Sequence, residues 1–293
     1  MPETGTYLLT STGFNGEQKP YIELQRSGSF TDLLPYQKTI TLQFDMSQRY
    51  CIGWRDITKG ERFSCPDSNK VEGKYEECAA CQKRTGFNPA FYHASNVSEQ
   101  QQARNNESHV LYLAHFGPDI IKVGISHAAR GNSRLLEQGA RSALVLDTFA
   151  SAHIARQHEA RIALLEGIIE TVQLRKKIAL MEQPYNEAAA LAELLKTRQA
   201  IEQQLDLSFS QNQPTCFNSI YFPLASPNFS EAYDCSSDGI ISGECSGMLG
   251  SLLFCAQQDT PLFLSLKKFV GYQVALSYDE AHIELPAQQT SFF

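Results

Sequence analysis

Polar and apolar residues alternate in the first part of the chain in the way typical of β-strands. In TITLQFDMSQRY, apolar side chains recur at every second position from Ile40 to Met46, which predicts a strand with one buried face. The polar stretch NVSEQQQARNNESH, at residues 96–109, has no apolar period, so we expect a linker or exposed loop there. The pattern predicts a β-rich N-terminal region over residues 1–105.

Two apolar runs follow in VLYLAHFGPDIIKVGIS, residues 110–126, separated by the turn-like FGPD. Both runs are rich in residues that strands favour, so they predict a β-hairpin. RGNSRLLEQGA then fits a short helix that Asn132 or Ser133 caps and Gly139 ends. ALVLDTFAS is a third strand candidate. We therefore expect the order strand, strand, helix, strand in a core over residues 106–165.

The apolar period becomes helical from Ser151 to Gln183. Pro184 interrupts it, and YNEAAALAELLKTRQAIEQQLDL continues as a second helix. These segments predict a helical hairpin, centred on residues 166–207, that packs within the chain or pairs with a second copy in a homo-oligomer.

Short strands punctuated by Gly, Ser and Pro return from about Asn218. They predict a small antiparallel sheet or barrel in a C-terminal β region over residues 208–293. The expected fold class is α+β, with a small antiparallel sheet flanked by helices between the two β-rich ends.

Composition and charge narrow the class of protein. With 42% hydrophobic and 19% charged residues the chain is typical of a globular soluble protein. The sequence shows neither an apolar run long enough to cross a membrane nor a secretory signal, so we expect a cytoplasmic protein without membrane contacts. The net charge is −7, and residues 206–293 hold nine acids against only Lys267 and Lys268. Residues 104–177 hold ten Lys and Arg against seven acids, which permits a local phosphate-binding surface.

Four cysteines precede the predicted hairpin: Cys51, Cys65, Cys78 and Cys81. The last two form a CxxC pair, and the more distant two could complete a tetrahedral structural zinc site. A disulfide, a redox CxxC and unconnected buried thiols are the alternatives, and His93 is a spare ligand candidate. A second set, Cys216, Cys235, Cys245 and Cys255, has wide gaps, so we expect small buried apolar residues there rather than a second metal site.

The hairpin carries a resemblance to a known superfamily. VLY at residues 110–112 and KVG at residues 122–124 resemble the paired motif of the GIY-YIG nucleases, in the branch whose second motif has lysine, a hydrophobic residue and glycine. The cysteine region, this core, ARQHEARIA and GECSGMLGSLLF together resemble one uncharacterised prokaryotic family, known only as a domain of unknown function.

The superfamily resemblance implies a set of site residues. Tyr112 takes the place of the tyrosine near the attacking water, Arg134 that of the arginine at the scissile phosphate, and Glu159 that of the carboxylate that holds one divalent cation, Mg²⁺ or Mn²⁺. Gly124 would allow close approach to the site, and Asn186 matches a late asparagine on the substrate side, although a longer segment separates it from Glu159 than in compact members.

The chain also departs from the superfamily pattern. Lys122 replaces the second-motif tyrosine, or Val123 does in the alternative register, and Val110 replaces the first-motif glycine. Taken one at a time, each site residue also fits an ordinary structural role on a strand or helix, so their joint order and spacing carry the inference. His115, His127 and His158 lie near the motif as alternative proton acceptors.

Three functions are consistent with these features. The first is a zinc-stabilised, metal-dependent endonuclease or nuclease-derived protein that hydrolyses phosphodiester bonds of DNA or RNA, with Tyr112, Lys122, Arg134 and Glu159 in the site. The second is a non-catalytic nucleic-acid-binding module with a degenerate core. The third is a protein-interaction scaffold that uses the helical hairpin as its partner surface.

Overall fold

The computed structural model describes residues 1–85 and 97–284. His93, the spare ligand candidate, lies outside these residues. Within them the strands are Gly5–Phe14 (β1), Pro20–Arg26 (β2), Ser29–Leu33 (β3), Thr39–Arg49 (β4), Trp54–Arg55 (β5), Arg62–Phe63 (β6), His109–Gly117 (β7), Ile120–His127 (β8), Ser142–Phe149 (β9), Ile168–Ile169 (β10), Thr215–Cys216 (β11), Tyr233–Asp234 (β12), Ile240–Leu249 (β13), Leu252–Gln257 (β14), Thr260–Ser265 (β15) and Tyr272–Ser277 (β16). The α-helices are Ala79–Thr85 (α1), Glu99–Asn105 (α2), Ser133–Gln138 (α3), Ala152–Ile162 (α4), Leu174–Met181 (α5), Glu187–Leu205 (α6) and Asn218–Tyr221 (α7).

The largest sheet joins both ends of the chain. Its nine strands have the order β12-β15-β14-β13-β4-β16-β1-β2-β3, so β4 and β1 lie on either side of the C-terminal strand β16. The expected strand around Ile40 is confirmed as β4, which pairs with β13 and β16. The N-terminal and C-terminal β regions, which the sequence analysis separated, therefore share one sheet and one main core.

A second sheet is formed by the central part of the chain. Its five strands have the order β10-β8-β7-β9-β11. The expected order strand, strand, helix, strand is confirmed by β7, β8, α3 and β9, and Gly139 ends α3 in a left-handed conformation with φ 72°. The α+β class is confirmed with it.

Side chains of β7 alternate between the two faces of this second sheet. Tyr112, Ala114 and Phe116 belong to the core shared with the large sheet, whereas Leu111 and Leu113 pack with Leu194 and Ile201 of α6. Both faces are apolar and covered, which explains why β7 is buried along nearly its whole length.

The single helix expected from Ser151 to Gln183 is wrong. Helix α4 ends at Ile162, Gly167 adopts φ 82°, and Ile168 and Ile169 pair in parallel with β8 before α5 begins. The apolar period continues through this turn because Ile168 and Ile169 occur at helical spacing in the sequence. In the structure these two residues pair with β8 and do not belong to a helix face.

The loop expected at residues 96–109 is also wrong in part. Helix α2 occupies Glu99–Asn105, where the Ser98 side chain accepts a hydrogen bond from the amide of Gln101. Among the described helices none is long and apolar enough to span a membrane.

Candidate active site and metal centre

Tyr112 and Gly124 face each other across the β7–β8 hairpin. Tyr112 is 1% exposed, and its hydroxyl accepts a hydrogen bond of 2.8 Å from Nε2 of Gln138 on α3. A Cβ atom at residue 124 would lie 2.5 Å from the tyrosine hydroxyl and 2.9 Å from Nζ of Lys122. Glycine is thus required by the close approach of the two side chains.

Lys122 lies on the same face, two residues before Gly124. Its ammonium group donates to the carbonyl of Val123 at 3.0 Å and lies 5.7 Å from the centre of the Tyr112 ring. Burial lowers the pKa of Lys122 to about 8, the charge of Arg134 adds to this effect, and Glu159 opposes it. Lys122 is a partly desolvated cation with few protein partners, which suits it to an anionic ligand.

Arg134 reaches the cluster from α3. It is exposed, and it forms no ion pair with a carboxylate among the described residues. Burial raises the pKa of Tyr112, whereas the Gln138 hydrogen bond and the charge of Arg134 lower it. The guanidinium therefore acts directly on the tyrosine hydroxyl and also faces solvent.

Glu159 is the carboxylate that α4 contributes. It is 5% exposed, and its Oε2 accepts from Nη1 of Arg156 one turn earlier. Burial raises the pKa of Glu159, the ion pair with Arg156 and the charge of Lys122 lower it, and Glu170 raises it. Arg156 also lies 3.5 Å from a carboxylate oxygen of Glu170, so it bridges two acids at the edge of the site.

The structure therefore brings Tyr112, Lys122, Gly124, Arg134 and Glu159 into one cluster, here called the hairpin cluster. It gives Asn186 a different setting, because Asn186 caps α6 by accepting from the amide of Ala189 at 3.0 Å. Its neighbour Tyr185 contacts His115 on the other side of β7, where the hydroxyl lies 3.2 Å from Nδ1. Within the described part of the chain, the side-chain hydrogen bond of Asn186 is to its own helix and not to the hairpin cluster.

Lys177 is a site residue that motif spacing does not reveal. Its ammonium donates to the carbonyl of Gln138 at 2.6 Å and lies 5.1 Å from the ring centre of Phe116. Burial lowers the pKa of Lys177 to about 8, and the charges of Lys267, Lys122 and Arg134 lower it further. Only the packing of α5 against β7 brings this lysine to the hairpin cluster.

The donor set for a divalent cation at the hairpin cluster is small. Within residues 1–85 and 97–284, the four N-terminal cysteines are the only group of three or more His, Cys, Asp or Glu with donor atoms close enough for a metal. Glu159 would therefore be joined mainly by water, which is compatible with Mg²⁺, and its bond with Arg156 would have to open.

The four N-terminal cysteines converge in a separate lobe. The sulfur atoms of Cys51, Cys65, Cys78 and Cys81 all lie within 4.8 Å of one another, and three of these residues are buried. They can hold a structural metal ion such as zinc. We call residues 50–81 the cysteine lobe.

Backbone geometry shapes the ligand set of the cysteine lobe. The sulfur of Cys51 accepts from the amides of Gly53 at 3.4 Å and Cys78 at 3.1 Å. Gly53 has φ 91°, and a Cβ atom there would lie 2.0 Å from the carbonyl oxygen of Phe63, so the turn needs glycine. These amide contacts to sulfur are the arrangement that stabilises thiolate ligands of a metal.

Thiol pKa values in the cysteine lobe differ widely. Burial raises the pKa of Cys51 to about 11. At Cys78 burial is opposed by hydrogen bonds from the Cys81 backbone and from Asn69, which together lower the pKa to about 6. The lowered pKa of Cys78 favours its thiolate, the form of cysteine that binds a metal.

Three of the four cysteines in the second set are the small buried residues that the sequence analysis expected. Cys235, Cys245 and Cys255 are buried in the main core, and Cys245 lies opposite Cys255 on neighbouring strands. Cys216 is partly exposed, and these four residues form no metal-binding group in the described chain.

Comparison with known proteins gives a family but no activity. Residues 37–274 match the family described as Protein of unknown function (DUF2797). The match includes both the cysteine lobe and the hairpin cluster. No curated protein and no solved structure matches the chain.

Proposed function

Because the chain belongs to this family of proteins of unknown function, whose description names no activity, we propose a function from the hairpin cluster. The protein is a metal-dependent nuclease that hydrolyses phosphodiester bonds of DNA or RNA. The observation that carries this proposal is the convergence of Tyr112, Lys122, Arg134 and Glu159 from two strands and two helices.

Each side chain has a role that fits phosphodiester chemistry. Arg134 offers an exposed guanidinium fork for two phosphate oxygens, and Lys122 adds a second cation beside it. Tyr112 has a hydroxyl fixed by Gln138, which positions it to hold the attacking water. These two cations would stabilise the negative charge that develops on the phosphate in the transition state, without first having to move.

Glu159 is the residue that would hold the divalent cation, Mg²⁺ or Mn²⁺. When bound, such a cation supplies positive charge for the phosphate oxygens. Glu159 is buried, and burial raises its pKa because it disfavours the charged carboxylate; a cation bound beside it would compensate that cost. The resemblance of the β7–β8 hairpin to the GIY-YIG motif supports the same assignment.

A non-catalytic nucleic-acid-binding module is the second candidate. It is favoured by the ion pair of Arg156 with Glu159, which occupies the carboxylate, and by Lys122 in place of the second-motif tyrosine. In that case Lys122, Arg134 and Lys177 would hold phosphate without cleaving it.

Zinc in the cysteine lobe and a cytoplasmic location complete the proposal. Four thiol ligands favour zinc over magnesium or calcium, which prefer oxygen ligands. All eight cysteines are free, an arrangement suited to a reducing compartment.

A cleavage assay tests the proposal. Labelled single-stranded, duplex and branched DNA and RNA are incubated with Mg²⁺ or Mn²⁺ and the wild-type protein, Arg134→Ala or Glu159→Gln. We expect cleavage of at least one substrate and a loss of about 100-fold or more in each variant, because each removes charge stabilisation at the phosphate.

The matched control is Glu166→Gln, which neutralises an exposed carboxylate in the turn after α4. It should cleave at the wild-type rate. Salt-sensitive binding without cleavage of any substrate would support the binding module instead.

A further inference from the structure

A second basic feature lies beside the hairpin cluster. An open cleft of about 790 Å³ separates the cysteine lobe from α2 and α3. Arg55 of β5 and residues 57–60 of the turn that follows line one wall, and Ser133, Arg134 and Glu137 of α3 line the other. Tyr21 of β2 and Ile125 of β8 add apolar surface between them.

The charge of this cleft is strongly one-sided. Its lining includes the cations Arg55, Lys59, Arg104, Arg130 and Arg134 against the single carboxylate of Glu137. Arg130 pairs with Glu137, and Arg104 lies 3.6 Å from Glu107.

Three of these cations form no salt bridge with the described residues, although Asp56 lies near Lys59, whose charge lowers the pKa of that carboxyl. In residues 1–85 and 97–284, Arg55, Lys59 and Arg134 form no ion pair with a carboxylate. Both Arg55 and Lys59 are exposed, in a protein whose net charge is −7. A local excess of cations that form no salt bridge, in a protein that is acidic overall, indicates a site that binds a polyanion.

The cleft is continuous with the hairpin cluster through Arg134. This residue lines the cleft and also acts on the hydroxyl of Tyr112. A phosphate chain bound in the cleft therefore lies beside the arginine that would hold the proposed reacting phosphate.

The size of the cleft limits what it can hold. A volume of about 790 Å³ lies within the range of pockets that enclose small ligands, so the cleft has room for a few nucleotides of a single strand. Basic side chains with an aromatic and apolar floor are the usual means of holding a single strand. We propose that the cleft between the cysteine lobe and α3 binds a single-stranded segment of nucleic acid, with Arg55 and Lys59 on its phosphates. This inference rests on the proposed function for the part of the strand that is cleaved at the hairpin cluster.

Binding measurements test this inference. The probes are a fluorescent oligothymidine, an oligouridine and a duplex of equal length, titrated with the wild-type protein without divalent cation so that no strand is cut. We expect the single strands to bind more tightly than the duplex. Lys59→Ala and Arg55→Ala should each weaken single-strand binding about five-fold at about 0.1 M salt and reduce the salt slope by about 0.7, the share of one phosphate contact.

The controls separate charge from folding. Lys196→Ala removes an exposed lysine of α6 outside the cleft and should bind as the wild type does. Arg55 donates to the carbonyl of Gly60, so Arg55→Lys tests whether charge alone restores affinity. The side chain of Lys59 is exposed, so Lys59→Ala should leave the lobe folded.

Two outcomes would overturn the inference. They are duplex binding that equals or exceeds single-strand binding, and single-strand affinity that is unchanged in both Arg55→Ala and Lys59→Ala. If these variants cleave with an unchanged KM, the cleft is not the strand-binding site, and the proposed nuclease function still holds. If single-strand binding depends on Arg55 and Lys59 but no strand is cleaved, the proposed nuclease function is wrong, and the cleft is still the strand-binding site.

Discussion

At Gly124 there is room for a hydrogen atom but not for a methyl group. A Cβ atom would lie 2.5 Å from the hydroxyl of Tyr112, and Tyr112 is itself buried and bonded to Gln138. The constraint comes from space, since Gly124 does not have a positive φ.

Gly124→Ala should therefore displace the Tyr112 ring and disturb Lys122. We expect a loss of about 1–3 kcal/mol in the free energy of unfolding, as in other overpacked sites, measured by urea denaturation. Cleavage and binding at the hairpin cluster should fall with it. A variant of wild-type stability would show that the cluster is looser than the structure indicates. Gly16→Ala gives the comparison, because no atom lies within 4 Å of the added Cβ and Gly16 does not have a positive φ.

Lys122 gives the hairpin cluster a pH dependence. Its pKa is lowered to about 8, so the ammonium is charged below that pH and becomes neutral above it. A bound phosphate favours the charged form, and binding must therefore weaken as pH rises through about 8.

We expect single-strand affinity to fall between about pH 7 and pH 9 in the wild type, and Lys122→Arg to flatten the profile because a guanidinium stays charged. Fluorescence anisotropy across this range measures the effect. An equal fall in Lys122→Arg would assign the dependence to another group, with Lys177, whose pKa is also lowered to about 8, as the next variant.

At the scale of elements, the cysteine lobe is a small unit whose packing depends on its sulfur cluster. Its own buried apolar cluster is Cys51, Cys65, Val71 and Cys81, with Trp54 stacked on Phe63 at 4.1 Å, whereas Ile52 packs into the main core. So few apolar groups make a weak core, which a metal ion can stabilise.

Metal analysis of protein purified without chelator should find about one equivalent of zinc. Cys81→Ser should lose the metal and lower the thermal midpoint by about 5 °C, the shift that roughly 2 kcal/mol produces in a chain of this size. The control Cys216→Ser, a partly exposed cysteine of the second set, should keep its zinc. Protein with no bound metal, or equal loss in both variants, would contradict the assignment.

The sequence predicted the elements of the second sheet better than the helices after it. Hairpin, helix α3 and strand β9 each have a strong local signal, including Gly139 at the end of α3. The turn at Gly167 has no such signal, because Ile168 and Ile169 keep the helical period while they pair with β8. Periodicity alone does not separate a short strand from another helical turn.

At the scale of the whole molecule, the fold depends on contacts that no local pattern reveals. The hydroxyls of Thr41 and Ser242 lie 2.7 Å apart across 201 residues of sequence, where β4 and β13 pair. Strand propensity predicted both strands, but it holds no information on which strands pair. The two strands were therefore assigned to separate regions from the sequence.

The site shows the same limit. Motif spacing pointed to Tyr112, Arg134 and Glu159, which the fold brings together. It missed Lys177 and Glu170, because helix α5 and the residue after β10 reach the hairpin cluster only through tertiary packing. The role of Arg55 and Lys59 likewise depends on the position of the cysteine lobe across the cleft.

Single-turnover cleavage by wild type, Glu159→Gln and Glu166→Gln at increasing Mn²⁺ concentration tests the hairpin cluster most directly. We expect metal-dependent cleavage in wild type and Glu166→Gln, and a rate lower by about 100-fold or more in Glu159→Gln that added Mn²⁺ does not restore. Equal rates in Glu159→Gln and wild type would show that the hairpin cluster does not cleave phosphodiester bonds.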